Sequence, residues 1–189
     1  MRTAVQKLQN SKTATWLLTV WAVGLYPLLC QFFAEWVRLQ KAALALRYFL
    51  GHLPAAALGT VFLAGVVLTL AFLTRRPWAG VLLVGSLAFI GAYANFYKIT
   101  YRGDPVLPKD LVIAGDAAKV ASELSIPPTF QMGVFFLFFS LSVLILLPVR
   151  LPGSGRLAVR LPLAAVGVAF CALWLSGVLW NSAVQEKFD

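Results

Sequence analysis

Residues 53–74 read LPAAALGTVFLAGVVLTLAFLT, and residues 77–97 read PWAGVLLVGSLAFIGAYANFY. Only Arg75 and Arg76 separate them. Neither run contains a charge, and each is about as long as the ~20 helical residues that cross a ~30 Å hydrocarbon layer. Neither alternates apolar and polar residues, as barrel strands would. A backbone in lipid must pair its own polar groups, so each run is expected to be a helix. Two such helices joined by a two-residue turn form an antiparallel hairpin.

Outward from this hairpin the pattern repeats. Further charge-free runs lie at Thr13–Ala34, within Leu124–Val149 and within Leu161–Gln185. The sequence therefore predicts an all-α integral membrane protein with five transmembrane helices, at about 13–34, 54–74, 77–97, 129–149 and 161–181, in a single transmembrane domain over 1–189. Composition agrees: 60% of residues are hydrophobic and 12% are charged, against about 45–50% and 25% in soluble domains. Two cysteines exclude a disulfide-framed module. The first run is too long for the apolar part of a signal peptide. Pro27, with Gly24 before it, is expected to kink the first helix.

The charges give a direction. The segment before the first run carries Arg2, Lys7 and Lys12, the hairpin turn carries Arg75 and Arg76, and the fourth linker carries Arg150, Arg156 and Arg160. No acid falls in these segments; all seven acids lie on the opposite side. Lys and Arg density near span ends sets topology, which predicts a cytoplasmic N-terminus and an extracytoplasmic C-terminus. The net charge of +9 then faces a membrane surface, and no soluble basic patch exists for nucleic acid.

Two outer segments are expected to be interfacial, at 35–52 and 98–126. In the first, Arg38, Lys41 and Arg47 interleave with Trp36, Leu44, Tyr48 and Phe49. That mixture suits a helix in the headgroup layer or an extension of the first span, with the cations snorkelling or holding anionic headgroups. In the second, Gly103, Pro105 and Pro108 break and shape the chain, and a short amphipathic helix is expected near 108–123. Its face carries Ile113, Ala117, Val120 and Leu124. Four bases balance four acids over 97–128, which points to fixed contacts rather than simple anchoring.

The motifs of this second segment are Asn95-Phe96-Tyr97-Lys98, Tyr101-Arg102-Gly103-Asp104-Pro105 and Pro108-Lys109-Asp110-Leu111. They resemble a pattern in lipoteichoic acid synthase-like proteins, the sulfatase-superfamily phosphoglycerol transferases. Glu35 with Arg38 at the exit of the first span resembles the same family. The resemblance is specific only over about 95–125. It implies the N-terminal five-helix membrane module of such an enzyme, in a bacterial plasma membrane. In that family an extracellular sulfatase-like domain follows, with a threonine nucleophile and a divalent metal such as manganese. It transfers glycerol phosphate from phosphatidylglycerol to a growing teichoic acid chain.

This chain has one His and seven scattered acids, too few in any cluster for that metal chemistry. No catalytic or metal-binding residue, and no cofactor, is therefore expected on it. The expected role is membrane anchoring and positioning of anionic phosphatidylglycerol beside a catalytic domain, in cis or in trans. Lys98 and Arg102 are the expected phosphate contacts, because ammonium and guanidinium groups match phosphate oxygens. Asp104 and Asp110 would orient those cations or cap the short helix. Glu35 would pair with a loop cation. A free-standing membrane scaffold or partner-binding protein is the alternative. A transporter or flippase is disfavoured, because no ionisable residue sits at a span centre and no inverted repeat is visible.

Overall fold

The computed structural model describes residues 12–104, 106, 128–150, 165, 167–169 and 172. Most of these residues are helical, and none lies in a strand. Helix α1 (Lys12–Val20) passes through a π-helical turn (Trp21–Leu25) into α2 (Tyr26–Leu39). Then follow α3 (Ala42–Gly51), α4 (Leu53–Thr74), α5 (Pro77–Arg102) and α6 (Phe130–Leu146).

Three helices are long and apolar enough to cross a membrane: Thr13–Leu39 (27 residues), Leu53–Thr74 (22 residues) and Pro77–Arg102 (26 residues). Helix α6 is apolar and shorter, at 17 residues. Most of the fifth expected span lies outside the described residues. Its Ala165, Gly167, Val168, Ala169 and Ala172 are helical. A Cβ added to Gly167 would collide with the Thr69 hydroxyl, so this piece lies tightly on α4.

The sequence sets most of the helix ends. Pro54 and Pro77 open α4 and α5, where a missing N–H costs nothing. Arg75 closes α4 in the left-handed region (φ 60°). Gly103 closes α5 with φ 81° and donates its N–H to Ile99 O at 2.9 Å, as a left-handed C-cap should. The Thr129 hydroxyl caps α6 by accepting from Met132 N.

Two helices run past the expected spans. The first stays helical through Leu39, in line with the expected extension of the first span, so Glu35 and Arg38 belong to α2. The third continues through Lys98 to Arg102 and stops at Gly103, the expected break. Nothing before Gln40 or Gly103 breaks the ladder. At Pro27 the structure has a π turn one step upstream. The widened turn accommodates the ring and the missing N–H.

Helix α5 is central and packs against α4, α2 and α6. Gly80 lets α5 approach α4 so closely that an added Cβ would stand 2.7 Å from the Val67 Cα. Gly85 gives the same clearance to Phe139 and the Tyr26 hydroxyl. Tyr26 donates to Val81 O at 3.0 Å, and Gln31 Nε2 donates to Thr60 Oγ1 at 2.8 Å. Such small-residue approaches and side-chain hydrogen bonds are how helices associate where lipid is as oily as leucine. Aromatic rings fill the rest. Phe33 lies 4.7 Å from Phe138 and 5.5 Å from Phe135, and Tyr26 stacks on Phe138 at 5.6 Å. Trp21 joins this core beside Tyr26. The outer faces are apolar: Leu17, Leu87, Ile90 and Phe130 are each at least 60% exposed. Patches of that extent belong in lipid or under a partner.

Candidate functional site

The hairpin connection makes α4 and α5 antiparallel. Tyr26, at the start of α2, touches Val81, near the start of α5, so α2 and α5 leave a common level. At 1.5 Å per residue, Arg38 lies about 18 Å above that level and Lys98 about 26 Å. Gln131 Nε2 donates to Gln40 O at 2.9 Å, which fixes the start of α6 beside the end of α2. The end of α2, helix α3, the start of α4, the end of α5 and the start of α6 thus share one end of the bundle. Five of the expected site residues, Glu35, Arg38, Lys98, Arg102 and Asp104, stand there.

They form two clusters. In the first, Arg38 donates through Nε to Glu35 Oε2 at 2.6 Å. Its guanidinium also lies over the Tyr48 ring, 4.5 Å from the centroid. Tyr48 stacks on His52 at 4.2 Å, and His52 Nδ1 lies 2.9 Å from Tyr48 O. This cluster exists because Gln40 adopts φ 58° and turns α3 back toward α2. Gln40 also donates from its amide to Val37 O. Glu35 therefore pairs with Arg38 on its own helix rather than with a cation of the described loop residues. Arg38 is already committed to a carboxylate and a ring.

The second cluster caps α5. Lys98 Nζ sits 2.9 Å from Asp104 Oδ2, with the lysine side chain 13% exposed and the aspartate 57% exposed. The left-handed Gly103 brings Asp104 back over the helix. Asn95 Oδ1 then accepts from Val106 N at 2.9 Å, holding the returning chain two turns down α5. Arg102 is exposed and makes no ion pair or side-chain hydrogen bond among the described residues. Asp110, Pro105 and Pro108, and the expected amphipathic helix near 108–123, lie outside the described residues.

The structure does not merge the clusters, since no ion pair joins Glu35 or Arg38 to Lys98, Arg102 or Asp104 among the described residues. No group of three or more metal-ligating side chains occurs among the described residues either. The opposite end carries Lys12, Arg75, Arg76 and Arg150 and no acid among the described residues.

Sequence reasoning did not assign roles to Asn95 as a loop latch, Tyr48 as a cation–π platform, or Gln40 and Gln131 as a helix-end tie. Asn95 and Arg102 are seven residues apart, two turns on one face, and that spacing was the available signal. The other three depend on a chain reversal at Gln40 that no local pattern announces. No protein-family model, curated protein or solved structure matches the chain.

Proposed function

We propose that this chain is a five-span helical module of a bacterial plasma membrane. Its N-terminus is cytoplasmic, and the end bearing Arg102 is outside. That end holds the phosphate of an anionic lipid, phosphatidylglycerol first, and presents it to an extracytoplasmic catalytic domain in cis or in trans. The reaction served is phosphoglycerol transfer of the lipoteichoic acid synthase type; the motifs over residues 95–111 support this. The acid-free basic end, with Arg75, Arg76 and Arg150, supports the orientation.

The observation that carries the binding role is Arg102. Arg38 is held by Glu35 and Tyr48, and Lys98 is held by Asp104. Arg102, one turn beyond Lys98, is an exposed guanidinium with neither such tie. A guanidinium presents paired donors that fit phosphate oxygens. The exposed apolar faces of α5 below it, Leu87 and Ile90, suit acyl chains.

The test is lipid retention by the purified chain in nanodiscs made from phosphatidylcholine with a minor fraction of phosphatidylglycerol, read by native mass spectrometry. The chain is expected to retain phosphatidylglycerol preferentially, and Arg102→Ala to lose that preference. Arg47→Ala, on exposed α3, is expected to retain it. Equal retention of both lipids by the unaltered chain would refute the role.

A further inference from the structure

The loop that follows α5 does more than end a helix. Gly103, at φ 81°, reverses the chain, and Asn95 Oδ1 takes the N–H of Val106 at 2.9 Å. Val106 is thereby drawn alongside a residue about 10 Å before the end of the helix. Between these two fixed points Asp104 lies against Lys98 at 2.9 Å. The pair is asymmetric. The lysine side chain is mostly covered, and the aspartate side chain is mostly in solvent, at 13% and 57% exposure. An aspartate that is already largely hydrated gives up little when it leaves a cation, whereas a cation on a mostly covered side chain is favoured by an anionic partner.

We propose that Asp104 is an internal counter-ion that the lipid phosphate displaces. Asp104, held between Gly103 and the Asn95-bound Val106, is a strap that occupies Lys98 until a phosphate, first engaged by Arg102, exchanges with the carboxylate. Lys98 changes partner, the freed Asp104 moves into water, and no bond is made or broken. The exchange makes the site selective. A zwitterionic lipid carries its own cation beside the phosphate and meets Asp104 without net attraction for the Lys98–Arg102 pair. An anionic lipid gains both cations. This rests on the reading of Lys98 and Arg102 as phosphate contacts and adds that Asp104 opposes binding rather than orienting the cations for it.

The sign of one substitution separates the two roles. Asp104→Asn removes the competing charge, and Asn95→Ala releases the strap without altering any charge. Each is measured in the full chain, in nanodiscs, as retention of phosphatidylglycerol against phosphatidylcholine. Both are expected to raise retention of phosphatidylglycerol by about two- to five-fold, the range of one partly exposed ion pair. Lys98→Gln and Arg102→Ala are expected to lower it. Glycerol phosphate added in solution at matching phosphate concentration distinguishes a headgroup site from a free-anion site, and is expected not to compete.

Lower or unchanged retention in Asp104→Asn and Asn95→Ala, with Lys98→Gln and Arg102→Ala still weakened, overturns the displacement mechanism alone. Unchanged retention in all four variants overturns the phosphate site itself. Competition by soluble glycerol phosphate overturns the assignment to a lipid.

Discussion

Gly80→Ala tests the packing on which the positions of Lys98 and Arg102 depend. The new methyl would lie 2.7 Å from both the Cα and the carbonyl oxygen of Val67, and 3.1 Å from its carbonyl carbon. Carbon atoms rest about 3.5–4.0 Å apart. Helices α4 and α5 must therefore separate by about 1 Å, because the obstructing atoms are backbone and have no rotamer to adopt. Overpacking of this kind costs about 1–3 kcal/mol. Alanine also stabilises a helix interior by about 0.5–1 kcal/mol relative to glycine, so a single variant mixes two effects.

Gly91→Ala, on the same helix, separates them. An added Cβ there meets nothing within 4 Å, so only the helix term remains. Reversible unfolding of the chain in mixed micelles, titrated with denaturing detergent, measures both. Gly91→Ala is expected to be neutral to stabilising, and Gly80→Ala to fall below it by about 1–3 kcal/mol. Agreement of the two within about 0.5 kcal/mol, the usual error of additivity, would refute the close α4–α5 approach.

Three further outcomes are expected. Tyr26→Phe removes the hydrogen bond to Val81 O while keeping the aromatic stack, and should cost about 0.5–1.5 kcal/mol in the same unfolding assay. A double-mutant cycle of Gln31→Leu and Thr60→Val should give a coupling near 0.6 kcal/mol, the average for such bonds between membrane helices; zero coupling would mean that the Gln31–Thr60 bond does not hold α2 to α4. Tyr48→Leu removes the ring beneath Arg38 but keeps apolar bulk. It should increase proteolysis at the Gln40–Lys41 junction, and unchanged cleavage there would show that Arg38 does not pin α3.

The hairpin at residues 53–102 was largely legible in the sequence. The charge-free run, the Arg75-Arg76 turn and Pro77 gave Leu53–Thr74 and the start of α5, and Gly103 gave its end. The first charges after the apolar runs, Glu35 and Lys98, are not helix ends: the helical backbone continues through them to Leu39 and Arg102. Gly80 and Gly85 carried no visible warning, since a glycine at a helix crossing and an exposed one such as Gly91 look alike until the partner helix is placed. Trp21, in the π turn, lies against Tyr26 and Phe138 in the aromatic core, a packing that no local pattern announces.

At the candidate site, residue types were legible and pairings were not. Lys98 and Asp104 are six residues apart, a separation that meets only when a left-handed residue follows the last turn. Arg38 and Tyr48 meet across the reversal at Gln40. The guanidinium of Arg102 is a phosphate-matching group in the sequence alone; the structure adds that Arg38 and Lys98 are committed elsewhere.

The account requires that α5 cross the membrane and expose its C-terminal end outside. Single cysteines at Arg76 and at Tyr101, each exposed at opposite ends of α5, measure this directly in a background with Cys30 and Cys171 replaced by alanine. A membrane-impermeant maleimide applied to intact bacterial cells is expected to label Tyr101→Cys at once and Arg76→Cys only after the membrane is opened. Labelling of both in intact cells, or of Arg76→Cys alone, contradicts the crossing or its direction.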